Sequence, residues 1–527
     1  MTWFSLPPAR SGTPPPFVDR AGCERWLATQ PLTDAARMQD ELADRLADLN
    51  AWPIAPPERY RIVETLRRTS LAVDAESAKR YAHRPLPLSP AERKTLDASC
   101  RLWRETATAY LHCLRACLDG GPAPAVDAAK VCHRAISALR REQLARHRGG
   151  AAVPGAWWRC LHAVFAAAEQ LGVAATPVAD RLLVETREST VRGHYAMAVL
   201  LHLARPAELS RGEFAAVVRW LARWREQAVV HAAPPPDDER CVVVDLAADA
   251  PLHGGEGAPS MPRWIALDAV LGKIRRRARS LQAGASPEEL RLGSDLPAEA
   301  CVALLQALHG RLQQAPPPLP AAREDARTVD VAGGVERAYR LLGGGGLAGG
   351  ALPSSVSARR EHEQIAIFGH VVRPAAGGAV AVPTEPWQAL AEDAGEPILR
   401  RPPGEAGEVR LSCRGLVAVR DADGCRLAVV RSLATQEDGS LVAVLRPLAG
   451  RALPLLAAGE EKGSRRALDL PAIFLPPAPD AGTPASVLVP GGLLARLARL
   501  EIAGLPDGLR LGEAIERGAD FERLRCE

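Results

Sequence analysis

Two arginines set four apart, Arg323-Glu-Asp-Ala-Arg327, stand directly ahead of a short apolar run, Thr328–Val331. A guanidinium is a rigid planar fork of donors that matches a phosphate and can stack on a base. Two of them at the mouth of a small β-module would grip a phosphate diester. In a solvated linker the same pair would do nothing, and the spacing alone leaves both readings open. Other chemistry-bearing residues are dispersed. Cys113 and Cys117 lie one helical turn apart and Cys132-His133 follows, a set that in principle suits a metal. Cys117, however, shares an apolar seam with Cys100, so small buried thiols are the expectation. His112, His162, His194 and His202 are isolated on helical segments. Trp157-Trp158 and Trp220/Trp224 are expected to anchor helix packing.

Enzyme signatures are missing. There is no Gly-Lys-Ser/Thr after the glycines Gly343–Gly346, no Gly-x-Ser-x-Gly elbow and no His-Glu-x-x-His pair. No acid, base, nucleophile or metal set converges, so the expectation is a binding protein without a cofactor, not an enzyme. The densest basic stretch, Lys273-Ile-Arg-Arg-Arg-Ala-Arg279, is either a solvated helix face or a surface for an acidic partner.

The elements that must position these residues follow from composition and pattern. The chain has 527 residues, which suggests about three domains. It is 47% apolar, enough for a sizeable core, and only 4% aromatic. A mix rich in Ala, Leu, Arg, Gly and Pro is what a high-GC bacterial genome encodes, and it favours helices joined by Pro/Gly segments. Net charge is +4, which argues against a dedicated DNA or RNA binder. No basic-then-apolar leader opens the chain, no apolar run reaches bilayer length, and the eleven cysteines follow no repeated spacing. A cytoplasmic protein without a membrane span is the expectation.

Residues 1–20 read as a flexible Pro-rich tail. Residues 21–231 read as an all-helical domain. Thr33 is the expected N-cap for a helix whose Met38, Leu42, Leu46 and Leu49 share one face. Ser89-Pro-Ala-Glu92 and Ser210-Arg-Gly-Glu213 are capping boxes. The helix after Ser89 carries Leu96, Cys100, Trp103, Ala107, Tyr110, Leu114 and Cys117 as a sustained seam. Further helices are expected over about 124–147, 155–172, 176–205 and 210–231. Residues 232–263 read as a linker with a short strand candidate at Cys241–Leu246, and 264–320 as a small helical segment.

After Pro320 the apolar residues fall into short runs split by turn signals. Asp423-Gly424 and Asp438-Gly439 make Cys413–Leu445 a three-strand meander. Strands are also expected at Gln364–Val372 and Ala379–Val382, with loop insertions near 341–362 and 384–407. Residues 321–480 form a small antiparallel barrel on this reading, and 481–527 add a C-terminal β extension. The fold class is α+β multidomain: an all-α N-terminal region, then an antiparallel β-barrel.

The Arg-x-x-x-Arg linker, the barrel behind it, Gly415-Leu416-Val417-Ala418-Val419 and Val430-Arg431 together resemble a PilZ domain. The N-terminal half, with Arg25-Trp-Leu-Ala-Thr-Gln-Pro-Leu-Thr, Arg84-Pro-Leu-Pro-Leu and Leu102-Trp103, is similar to proteobacterial proteins that carry such a C-terminal domain. The resemblance implies a cyclic di-GMP ligand, with Arg323 and Arg327 on its phosphates and guanines. The family's second motif, Asp/Asn-x-Ser-x-x-Gly, maps to Arg373-Pro374-Ala375-Ala376-Gly377-Gly378. Gly378 is kept, while Arg373 and Ala375 replace the acidic and hydroxyl positions. Arginine only donates, so Arg373 cannot accept from a guanine N–H. The implied ligand set is Arg323, Arg327, Arg373, Gly377 and Gly378, with Arg359-Arg360 as a displaced contact. Two readings follow. One is a cyclic di-GMP receptor that signals to a protein partner in pilus, adhesion or motility control. The other is an adaptor with a degenerate PilZ-like barrel that binds protein partners without nucleotide.

Overall fold

The computed structural model describes residues 4–10, 14–31, 34–120, 126–182, 188–236, 239–255, 257–317, 319–320, 326–344, 384–393, 395–404, 409–462, 467–506 and 509–527. The chain divides into two units: Met1–Arg84 with Leu88–Pro318, and Leu319–Glu527 with Pro85–Pro87. The first is helical and the second antiparallel β, so the α+β architecture expected from the sequence is the one observed.

The first unit opens with α1 (Arg20–Ala28), α2 (Ala35–Asn50), α3 (Pro56–Tyr81), α4 (Pro90–Leu118), α5 (Ala128–Arg148) and α6 (Gly155–Gln170). Asp34, one residue past the predicted cap, accepts from the Arg37 amide to start α2; Thr33 lies outside the described residues. Met38, Leu42, Leu46 and Leu49 are buried on a single face, as their spacing requires. α4 packs against α2, α3 and α5, and its seam from Leu96 to Leu114 is buried. The Ser89 capping box forms: the Ser89 amide donates to Glu92 at 2.8 Å and the Glu92 amide to Ser89 Oγ at 3.4 Å.

The helix expected over 176–205 is shorter. A two-stranded pair, β1 (Val178–Ala179) and β2 (Glu188–Ser189), precedes α7 (Val191–Leu203). Pro177 bars a helix from forming through Thr176, and Thr190 caps α7 by accepting from the Gly193 amide. After α8 (Arg211–Trp224) the chain makes β3 (Val230–His231), β4 (Cys241–Asp245) and β5 (Pro262–Ala266), a sheet with β5 central. The strand candidate at Cys241–Leu246 is thus β4, and the segment read as a linker also holds the start of β5. α9 (Asp268–Gln282) and α10 (Ala298–Leu312) pack together. Val244, Ile265, Ile274 and Leu305 belong to the same continuous core as Leu42 and Trp220. The small helical segment is thus part of one hydrophobic body with the helices before it.

The second unit holds β6 (Thr328–Gly333), α11 (Val335–Leu341), β7 (Glu385–Asp393), β8 (Glu396–Arg401), β9 (Leu416–Asp421), β10 (Gly424–Thr435) and β11 (Leu441–Pro447). The strands close an antiparallel barrel in the order β10-β11-β8-β7-β6-β9. The predicted meander is β9–β10–β11, and Gly439 at its second turn sits at φ +82°, which favours glycine. The region read as a loop insertion near 384–407 instead supplies the hairpin β7–β8. Leu416 and Ala418 face a core shared with α11, so by strand alternation Val417 faces the barrel interior. Leu86 exchanges two 2.7 Å backbone hydrogen bonds with Leu411.

β12 (Leu453–Glu461) and β13 (Ala467–Leu475), grouped with the barrel on the sequence reading, instead join β14 (Ser486–Pro490), β15 (Leu497–Ala503), β16 (Leu511–Arg517) and β17 (Phe521–Cys526). They form a six-stranded antiparallel sheet in the order β15-β12-β13-β14-β17-β16. The short α12 (Leu493–Arg496) precedes β15.

Candidate functional site

Arg327 stands one residue before β6, and its carbonyl accepts from the Ala389 amide at 2.8 Å, extending the β6–β7 ladder. On its other edge β6 pairs with β9, Asp330 opposite Arg420. That register brings the β9–β10 turn beside Arg327. Arg327 Nη2 lies 3.2 Å from Asp421 Oδ2 and 3.0 Å from Asp423 Oδ2. Asp421 also receives Arg426 Nη2 at 2.6 Å, and Arg420 pairs with Asp330 at 3.0 Å. Among the described residues the rim is therefore an interleaved set of arginines and aspartates, not an unopposed cationic cradle.

The two carboxylates on Arg327 differ. The Asp421 side chain is 2% exposed and that of Asp423 is 76% exposed. Burial works against ionisation of Asp421. The Arg426 hydrogen bond, the Asp423 amide at 2.8 Å and the charges of Arg426 and Arg327 outweigh it and hold the carboxyl below its ordinary range. Both carboxylates meet the same Nη2, and the Arg327 side chain is 47% exposed. The other predicted ligand residues, Arg323, Arg373, Gly377 and Gly378, lie outside the described residues, as do Arg359-Arg360 and the predicted strands Gln364–Val372 and Ala379–Val382. Sequence reasoning missed the two carboxylates. Asp-Ala-Asp-Gly at 421–424 carried the signal, but it was legible only as a turn.

The helical unit holds a second polar constellation, with most of its members buried. Arg67 of α3 and Arg134 of α5 share the buried carboxylate of Asp180 at 2.5 and 3.0 Å. Arg134 also reaches Glu64 at 3.2 Å, and Tyr110 of α4 donates to Glu64 at 2.5 Å. Burial, then the Arg134 charge, drives His133 down to about 3. Arg134 Nη1 can only donate, so the 2.9 Å contact makes His133 Nδ1 the acceptor and leaves the proton on Nε2. Nε2 then donates to Ser189 Oγ at 2.7 Å, and Ser189 donates on to His194 Nε2 at 3.2 Å. The cavity beside this network, lined by Arg67, Trp103, Tyr110, Arg134 and Arg141, has about 20 Å³, room for one water. It does not take a dinucleotide.

Cys113 and Cys132 are fully buried, and burial pushes both thiols up to about 12, as core packing predicts. Among the described residues no three His, Cys, Asp or Glu side chains are grouped to hold a metal ion. Trp157 and Trp220 are core anchors, donating to the Leu139 and Leu292 carbonyls. On α9, Arg275, Arg276 and Arg279 are exposed and make no ion pair among the described residues. No described helix is long and apolar enough to cross a membrane.

Residues 20–236 match the family model of the N-terminal domain of the cyclic-di-GMP receptor FimW. The match runs from α1 to just past β3 and takes in the Arg67–Asp180–Arg134 network. The matched part is under half of the chain, and Leu319–Glu527 of the second unit lies outside it. No curated protein and no solved structure matches the chain.

Proposed function

We propose that this chain is a cytoplasmic cyclic di-GMP receptor in which the closed barrel acts as a PilZ-like module. The family match over residues 20–236 carries the reading. Arg327, immediately before β6, supports it, because a half-exposed arginine side chain there can meet a phosphate. On this reading Arg323 joins Arg327 on the phosphates, and Arg373, Gly377 and Gly378 line the guanine side. Ligand binding shifts the population of arrangements that a protein partner recognises in pilus, adhesion or motility control. Titration of the full chain with labelled cyclic di-GMP tests it. Saturable binding, weakened about tenfold or more in Arg327→Ala, is expected for loss of a charged hydrogen-bonding partner. Absence of saturable binding by the wild type would remove the proposal.

One observation favours a second reading. Arg327 already has two carboxylates on its Nη2, so its charge is compensated without a ligand, as an adaptor requires. An adaptor recovers the same partners in pull-downs with and without the dinucleotide. Partner recovery that depends on the dinucleotide excludes it.

A further inference from the structure

The buried guanidinium of Arg59 has no carboxylate partner among the described residues. It is 3% exposed, and Nη1 and Nη2 donate to the Leu49 and Trp52 carbonyls at 2.7 and 2.8 Å. These bonds close the C-terminal end of α2. They use two of five N–H donors and leave the positive charge unmatched by any anion. Beside it lies a cleft of about 170 Å³ between the α2–α3 turn, α4 and the N-terminal segment, which the Arg10 amide pins to the Ala51 carbonyl at 2.7 Å.

Asn50 and His112 also line this cleft, and the buried Asn50 Oδ1 has no hydrogen-bond partner among the described residues. Asn50 is 2% exposed. Its orientation is set by chemistry: Nδ2 donates at 2.9 Å to both the carbonyl and the carboxylate of Glu105, neither of which can donate. The amide oxygen must therefore face away from Glu105. A buried acceptor left unpaired is costly, and such atoms in a roomy site mark where a partner belongs. Trp52, Pro53 and Ile54 contribute apolar residues to its lining. The volume bounds the occupant, since an apolar cavity of about 150 Å³ accommodates benzene.

We propose that this cleft binds a ring-sized organic anion, a hydroxylated aromatic or heterocyclic carboxylate. Its carboxylate meets Arg59, its ring lies against Trp52 and Pro53, and its O–H or N–H donates to Asn50 Oδ1. The site lies within the helical unit, and the inference stands independently of the cyclic di-GMP reading.

The probe is 4-hydroxybenzoate, titrated by calorimetry into the full chain. Saturable one-to-one binding is expected. Benzoate, lacking the donor, should bind about three- to tenfold more weakly, and 4-hydroxybenzyl alcohol, lacking the charge, about tenfold or more. Arg59→Lys keeps charge but loses the fork, and should weaken binding. Because Arg59 also closes α2, Ile54→Trp serves as the second variant: it fills the cleft, leaves both carbonyl contacts intact, and should abolish binding with an unchanged melting curve. Arg327→Ala should leave binding unaltered. No saturable binding at millimolar probe, equal binding of the alcohol, or full binding by Ile54→Trp would overturn the assignment, and loss of binding in Arg327→Ala would overturn its location.

Discussion

Arg327 is held by two carboxylates of unequal standing, and that inequality decides what a phosphate must do there. The exposed pair with Asp423 is worth at most about 1 kcal/mol in water. A doubly hydrogen-bonding phosphate diester can replace it. Asp423→Asn should therefore tighten cyclic di-GMP about two- to fivefold in calorimetry while leaving denaturation midpoints unchanged. An unchanged affinity would mean that the ligand does not use Arg327. Asp421 is different in kind. Its buried carboxylate is shared by Arg327 and Arg426, and it accepts the Asp423 amide. Asp421→Ala should lower stability by about 1–3 kcal/mol in urea titrations, because it strips a buried acceptor from its donors.

At the scale of elements, local chemistry was legible wherever the signal was a side chain acting on its own backbone. The Ser210 box forms as expected, with Ser210 donating to Glu213 at 2.9 Å and the Glu213 amide returning at 3.4 Å. Ser210→Ala should lower the stability of the helical unit by about 1 kcal/mol, read as a shifted urea midpoint with unchanged slope. The β7–β8 hairpin was not legible. Glu385-Pro-Trp-Gln-Ala-Leu-Ala-Glu-Asp is poor in β-branched residues, and a strand of that composition forms because β6 and β8 pair with it on both sides. Trp387, 1% exposed, is the residue that this burial secures.

Across the molecule, the helical unit buries imidazoles in their neutral form. Burial drives His133 and His147 down to about 3 and His83 and His202 to about 4, and His194 falls well below its usual value. The unfolded chain binds protons at these positions below about pH 6.5, whereas the folded chain does not until far lower. Stability should therefore be full above pH 6.5 and decline as pH falls toward about 3. Urea midpoints at pH 7 and pH 5 check this, and His133→Gln should reduce the difference by the share of one of these five imidazoles. The carboxylates held below their ordinary range, such as Asp438 at about 2, add a later loss below about pH 4.

Helix faces, caps, the meander and the change from helical to antiparallel texture near Pro320 were readable along the chain, because each depends on residues a few positions apart. Only the tertiary structure decided which strands close the barrel, that Leu453–Leu475 belong to the second sheet, and that the segment after α8 joins the helical core. It alone brought Asp421 and Asp423 onto Arg327 from about a hundred residues away, and left Arg59, Asn50 and His112 lining one cleft. Charge compensation and burial are set by neighbours in space, and sequence spacing carries no record of them.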